Sequence, residues 1–97
     1  MLKAIFFAPD VPLSYQEYLE DSVFFSKLAL HGCSDRDYLR TRMDLSLGRK
    51  EVLVIDSSED GILAAVEARC NVWRYEYVEE LTADRLREKI NECSRGL

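Results

Sequence analysis

The chain has 97 residues, of which 47% are hydrophobic and 32% charged, a composition typical of one folded domain over residues 1–97 rather than of a disordered segment. Eighteen acidic against thirteen basic side chains give a formal charge of −5. Nucleic acid backbones are bound through clustered Lys and Arg, which this sequence does not supply, so we expect no nucleic acid partner. No apolar run approaches the ~18 residues of a membrane helix and no leader cleavage site is evident, so we expect a cytoplasmic protein without a membrane partner. Three cysteines at long spacings do not form a disulfide framework, so we expect reduced thiols.

The first part of the chain is predicted to hold one strand and one helix. Residues 2–8 are an apolar run that Pro9 and Pro12 close, which is typical of a buried strand entering a loop. From Ser14 to about Leu30 the apolar residues recur at near-helical spacing, although residues 23–25 could instead form a short strand.

A second helix and a central strand are predicted next. Ser34 and Asp37 have the spacing of a capping box, so we expect them to open a helix that ends near Gly48. Residues 52–55 read VLVI, a continuous apolar run between polar residues. Such a run predicts a parallel strand that is covered on both faces.

The following segment is predicted to form a helix and then an edge strand. Ser57 and Ser58 can each cap a helix, which we expect to continue to about Arg69. Residues 72–78 alternate large aromatic side chains with charged ones, a pattern that favours a half-covered strand. The aromatic row consists of Trp73, Tyr75 and Tyr77.

A final helix completes the predicted fold. Thr82 is expected to cap it, and Leu81 and Leu86 occupy the two positions of a hydrophobic staple. Right-handed crossovers then place the helices against a small parallel sheet. We therefore predict an α/β, Rossmann-like domain of about three parallel strands, with the first beside the second and the third at an edge.

Two segments resemble motifs of one enzyme superfamily. Residues 3–13 read KAIFFAPDVPL, similar to an apolar strand followed by Asp-x-Asp-Gly-(Thr/Val)-Leu. Residues 52–65 read VLVIDSSEDGILAA, similar to an apolar strand, two acidic residues and then Ser-x-x-Gly-Ile-x-Ala-Ala. These are the first and fourth motifs of the haloacid-dehalogenase-like (HAD) superfamily, which the chain resembles at both ends but not in its middle.

The resemblance implies a phosphatase fold without its nucleophile. Ala8 stands where the family has the Asp that attacks phosphorus, Asp10 holds the position of the general acid, and the metal-binding acidic pair is reduced to Asp56. The segment between the motifs is too short for a cap domain, and no Lys can be assigned to the phosphate. We expect a non-catalytic pseudoenzyme without catalytic residues; a Mg²⁺-dependent phosphatase using Asp10 and Asp56, or a remnant without selected activity, are the alternatives.

Asp10 and Asp56 are the candidate site. Both follow predicted strands that should be neighbours, and open α/β sheets bind ligands in the crevice at the carboxyl ends of their strands. Two carboxylates there could hold a Mg²⁺ ion. In the alternative interpretation Asp10 only caps the turn between the prolines, and Asp56 only caps the following helix.

The aromatic row is the candidate interface. An exposed edge strand carrying Trp73, Tyr75 and Tyr77 would suit strand addition by a protein partner or self-association into a homodimer. Packing of the same rings beneath the last helix is the alternative.

Overall fold

A computed structural model describes residues 1–95, without the side chain of Phe25. Residues 96 and 97 of the expected domain lie outside the described residues. The elements, in chain order, are β1 (Ala4–Phe7), α1 (Leu13–Ser22), a 3₁₀ turn (Phe24–Ser26), β2 (Ala29–Gly32), α2 (Tyr38–Asp44), β3 (Val52–Asp56), α3 (Glu59–Glu67), β4 (Asn71–Arg74), a second 3₁₀ turn (Val78–Glu80) and α4 (Ala83–Arg95). No helix among residues 1–95 is both long and apolar enough to cross a membrane.

The four strands form one parallel sheet in the order β2-β1-β3-β4. β1 pairs with β3 from Ala4 opposite Val52 to Phe7 opposite Ile55, and β3 pairs with β4. The predicted α/β class is therefore confirmed, with the first predicted strand beside the second and the third at an edge. The sheet has four strands rather than about three, because β2 adds the other edge.

Helices cover both faces of the sheet. Ile5 and Phe7 point into the larger core with residues of α1 and α4, whereas Ala4 and Phe6 point into a smaller core with residues of α2 and α3. This alternation follows from the two-residue period of a strand. Both faces of β1 and β3 are buried, as the apolar runs predict.

Three of the helices begin at residues that the sequence singles out. The Ser58 hydroxyl accepts a hydrogen bond from the Gly61 N–H, and the Thr82 hydroxyl accepts one from the Arg85 N–H. At α2 the cap is Asp37, whose carboxylate accepts from the Arg40 N–H, and not Ser34. The start of α2 therefore lies three residues later than the capping-box spacing predicts.

The predicted helix from Ser14 to about Leu30 is wrong beyond Ser22. The Ser22 hydroxyl donates to the Leu19 carbonyl as α1 ends, and Lys27 takes a left-handed backbone conformation with φ of 62°. The chain then enters β2, whose side chains are mostly exposed, so no buried alternation reveals the strand.

The predicted strand over residues 72–78 ends early, at Arg74. The carboxylate of Glu80 accepts hydrogen bonds from the backbone N–H groups of Glu76 and Tyr77, at 3.1 and 2.7 Å. These two N–H groups therefore bond to Glu80 and not to a strand ladder, and a bend over residues 76–77 leads into the 3₁₀ turn at Val78–Glu80.

Candidate functional site

Asp10 and Asp56 lie at the same edge of the sheet, where the sequence places them. Asp56 is the last residue of β3, and Asp10 follows β1 by three residues. The Asp56 side chain is 0% exposed, whereas that of Asp10 faces solvent. The two carboxylates are brought together as expected, but a third side chain joins them.

That third side chain is Arg36, in the loop between β2 and α2. Its Nε donates to Asp56 Oδ2 at 3.0 Å and its Nη2 donates to Asp56 Oδ1 at 3.2 Å. The same Nη2 also donates to Asp10 Oδ1 at 2.9 Å. One guanidinium therefore forms a bidentate pair with the buried carboxylate and bridges it to the exposed one.

Asp56 receives further hydrogen bonds from its surroundings. The Tyr38 hydroxyl donates to Oδ2 at 2.6 Å, and the backbone N–H groups of Ser57 and Ser58 donate to Oδ1 at 2.7 and 3.0 Å. With the two bonds from Arg36, the carboxylate accepts five hydrogen bonds. Since a carboxylate offers about four lone-pair positions, its acceptor capacity is fully used.

These donors keep Asp56 ionised despite its burial. Burial disfavours the charged form and by itself would raise the pKa of Asp56. The hydrogen bonds from Arg36, Tyr38 and the Ser58 N–H outweigh burial, so the pKa lies below its ordinary value. Burial and the bond to Asp56 raise the pKa of Tyr38, which stays a protonated donor.

Gly61 on α3 permits this close arrangement. A Cβ atom at this position would overlap Asp56 Oδ2, and it would lie 2.7 Å from Asp56 Cγ and 2.9 Å from Arg36 Cδ. The glycine of the Gly-Ile-x-Ala-Ala segment thus lets the helix start approach the ion pair without steric overlap.

The residues at this edge do not fit a Mg²⁺ site. Mg²⁺ requires near-octahedral oxygen ligands, usually including one or two free carboxylates. The Arg36 guanidinium lies between the two carboxylates, and all acceptor positions of Asp56 face hydrogen-bond donors. Residues 1–95 contain no cluster of three or more acidic, His or Cys side chains that could hold a metal ion.

Neither Ala8 nor Cys33, which lie at this edge among the described residues, is an activated nucleophile. Ala8 is fully buried in the larger core, and its N–H donates to the Ile55 carbonyl. Cys33 follows β2 at the same edge, but burial and nearby acidic groups raise the pKa of its thiol to about 12. Such a thiol stays protonated and unreactive near neutral pH.

An open hollow lies beside the ion pair, over the ends of β3 and β4. It has a volume of about 630 Å³ and is lined by Ser57, Arg74, Tyr75, Glu76 and Glu80. The Glu80 carboxylate accepts hydrogen bonds from two backbone N–H groups. This lining is mostly polar and can bind polar groups.

The aromatic row does not form one surface. Trp73 and Tyr75 are buried in the larger core, and only Tyr77 is exposed, at 64%. Because β4 ends at Arg74, the three rings do not share one strand face. Of the predicted interface residues, Tyr77 alone is accessible to a partner of this chain.

Comparison with family models, with curated proteins and with solved structures finds no match for the chain. The HAD resemblance therefore stays a prediction that depends on the two motifs around Asp10 and Asp56.

Proposed function

We propose that the chain is a non-catalytic, HAD-like domain that acts by binding rather than by phosphoryl transfer. The HAD part of this proposal depends on the two motif resemblances. Neighbouring strands that end near Asp10 and Asp56 are compatible with it. An α/β fold alone would support many functions, so the argument depends on the site.

The observation that carries the proposal is the position of Arg36. In a metal-dependent phosphatase, a divalent cation would neutralise the charge of the carboxylates and of the phosphate. Here a guanidinium of the same chain lies 2.9 to 3.2 Å from oxygen atoms of both carboxylates. The Arg36 guanidinium thereby takes the place of the metal cation, and a metal ion would have to displace an arginine that is already paired.

The absence of a carboxylate at position 8 supports the same conclusion. The methyl group of Ala8 is packed in the core and has no atom that could attack phosphorus. A binding role needs neither this carboxylate nor the metal. We propose that the partner is another protein or a second copy of the chain, and that binding occurs in the cytoplasm, where the three free thiols would stay reduced.

Hydrolysis of an aryl phosphate tests this proposal. We expect no turnover above the buffer blank for the wild-type chain, with or without Mg²⁺, because position 8 lacks a carboxylate and Arg36 occupies the cation position between Asp10 and Asp56. Asp10→Asn serves as the matched variant and should give the same blank rate. Mg²⁺-dependent hydrolysis that disappears in Asp10→Asn would refute the non-catalytic proposal and favour the phosphatase alternative.

A further inference from the structure

β2 is the most exposed strand of the sheet, and it lies at an edge. Ala29, His31 and Gly32 are exposed, whereas every residue of β1 and β3 is buried. Within the described sheet, β1 pairs with one side of β2 and no strand pairs with its outer side. Such an edge is a surface of defined chemistry, because a further extended strand can pair with its row of backbone groups.

The outward backbone groups of β2 belong to Leu30 and Gly32. The N–H groups of Ala29 and Cys33 donate to backbone carbonyls of the β1 segment at 3.1 and 2.9 Å, so these residues face β1. Backbone groups alternate in direction along a strand. The N–H and C=O groups of Leu30 and Gly32 therefore face away from β1, and a strand that joined here would continue the sheet.

β2 lacks the side chains that commonly keep strand edges from pairing. Natural edges are guarded by charged residues, by Pro or by bulges. Residues 29–32 read ALHG and pair with β1 in unbroken register. At the opposite edge, β4 ends in Arg74, and the Glu80 carboxylate accepts hydrogen bonds from the next two N–H groups. The unguarded edge of the described sheet is therefore that of β2.

An apolar hollow adjoins this edge on the side of α1. It has a volume of about 210 Å³ and is lined by Glu20, Val23, Phe24, Leu28 and Leu30. Leu28 and Leu30 are two residues apart and so share one face of the strand. Phe24 beside them is 75% exposed. A side chain from an added strand would therefore enter mostly apolar surroundings.

The β2 edge of a second copy is complementary to this edge. Antiparallel pairing about a two-fold axis through Leu30 sets Leu30 against Leu30 of the second copy, and Leu28 against Gly32. The two leucines would then meet between the two hollows, and Gly32 leaves room for Leu28 because it has no side chain. Like charges do not face each other in this register, since Lys27 lies opposite Cys33 of the second copy.

We propose that two copies of the chain associate through β2, with the two strands antiparallel and Leu30 at the two-fold axis. The two four-stranded sheets then form one continuous sheet. This inference rests on the proposed binding role and deepens it by naming the partner and the surface. Because β2 has only four residues, the contact is small and the complex should be weak and concentration-dependent.

Sedimentation equilibrium at protein concentrations from about 10 µM to 1 mM tests the dimer. The wild-type mass should rise from 11.2 kDa toward twice that value as the concentration increases. Ala29→Lys should weaken the association roughly tenfold, because it places a charge on the edge and brings two ammonium groups near the axis. Ala29 is exposed, so this variant should fold, which a circular dichroism spectrum verifies.

Leu63→Lys is the matched control. It adds the same charge, and Leu63 is 58% exposed on α3, in the helical layer that follows β3 and lies away from the β2 edge. The association should be the same as that of the wild type.

Amide hydrogen exchange identifies the surface that pairs. At the higher protein concentration the N–H groups of Leu30 and Gly32 should exchange severalfold more slowly, because pairing places them in hydrogen bonds. The N–H group of Arg74, at the opposite edge, should exchange at the same rate at both concentrations.

A wild-type chain that keeps the monomer mass up to about 1 mM would overturn the dimer. A dimer in which the Leu30 and Gly32 amides are not protected, or one that Leu63→Lys weakens as much as Ala29→Lys does, would place the contact on another surface and overturn the inference as well. The hydrolysis assay tests the non-catalytic proposal separately, so a monomeric chain without phosphatase activity would contradict this inference alone.

Discussion

The carboxylate of Asp56 is fully buried, and an isolated charge in such a position would be strongly unfavourable. Arg36 compensates the charge, while Tyr38 and two backbone N–H groups complete the hydrogen bonding. Breaking such a pair from one side is costly because the remaining charge stays buried. The stability of the domain should therefore depend on this cluster more than on its surface ion pairs.

Replacement of Arg36 tests that dependence. We expect Arg36→Ala to lower the free energy of unfolding by about 2–3 kcal/mol, less than for a fully enclosed pair, because about a third of the Arg36 side chain is exposed. Urea denaturation of both proteins measures the difference.

Arg40→Ala is the matched control. Arg40 pairs with Asp35 at 2.8 Å, but both side chains are exposed. Exposed pairs contribute about 0–1 kcal/mol, so this variant should unfold close to the wild type. Equal losses for Arg36→Ala and Arg40→Ala would contradict the assigned role of Arg36.

The lowered pKa of Asp56 predicts a specific acid sensitivity. The unfolded chain, with an ordinary Asp pKa of about 3.9, takes up a proton before the folded chain does. The stabilisation from Asp56 is therefore complete above this value and is lost as the pH falls through the lower folded pKa. Asp56→Asn should reduce the fall of unfolding free energy below about pH 5, measured by urea titrations at several pH values.

Asp21→Asn provides the comparison for that measurement. Asp21 is exposed on α1, so this substitution removes one negative charge without disturbing the buried cluster. It should keep the wild-type dependence of stability on pH. If the free energy of unfolding of Asp56→Asn depends on pH as that of the wild type does, other carboxylates cause the acid sensitivity.

The sequence located two of the three charged residues in this cluster. Asp10 and Asp56 follow apolar strands, and the rule that strand ends share one sheet edge brings them together. The pattern around Arg36 does not predict a site residue, because the flanking Asp35 and Asp37 are typical of an ordinary solvated helix face. The usable signal was that an Asp ending a central strand requires a counterion, but nothing in the spacing selects Arg36 from the nearby arginines.

At the level of single elements, α3 is constrained by what its first turn touches. A glycine inside a helix usually costs about 1 kcal/mol relative to alanine. At Gly61 the sign should reverse, because a Cβ would overlap the Asp56 carboxylate and approach Arg36 Cδ to 2.9 Å. We expect Gly61→Ala to lower the melting temperature by several degrees, measured by calorimetry.

Gly48→Ala is the control for that substitution. A Cβ at Gly48 would meet only the Glu51 side chain, with Oε1 at 3.0 Å. A shift of this carboxylate would disturb its bonds to the Gly48 N–H and to Lys3 at the surface, but not the buried cluster. The melting temperature should change much less than for Gly61→Ala. A stabilised Gly61→Ala variant would mean that the helix start does not press on the ion pair.

Elements with strong local signals were predictable, and those fixed by tertiary contacts were not. β3 and α3 have continuous apolar runs and side-chain caps, and both form near the predicted residues. β2 has no such signal, because it is an edge strand whose register comes from pairing with β1. Beyond the end of β4, the Glu80 carboxylate accepts hydrogen bonds from the N–H groups of Glu76 and Tyr77. The alternation of side chains in the sequence does not indicate these bonds.

Across the whole molecule, the two helical layers are unequal. The layer of α1 and α4 encloses a core with several large side chains, including Trp73 and Tyr75. The layer of α2 and α3 has short helices and a core of mostly smaller side chains, and it lies beside the ion pair. The sequence predicted the class of the fold and the order of the strands that it identified, but this asymmetry depends on tertiary packing.

Binding of Mg²⁺ to the wild type and to Arg36→Ala tests the central claim most directly. If the guanidinium supplies the cation between Asp10 and Asp56, about 10 mM Mg²⁺ should leave the melting temperature of the wild type unchanged and raise that of Arg36→Ala, whose carboxylates lack a counterion. A rise in the wild-type melting temperature that Asp56→Asn abolishes would contradict the claim.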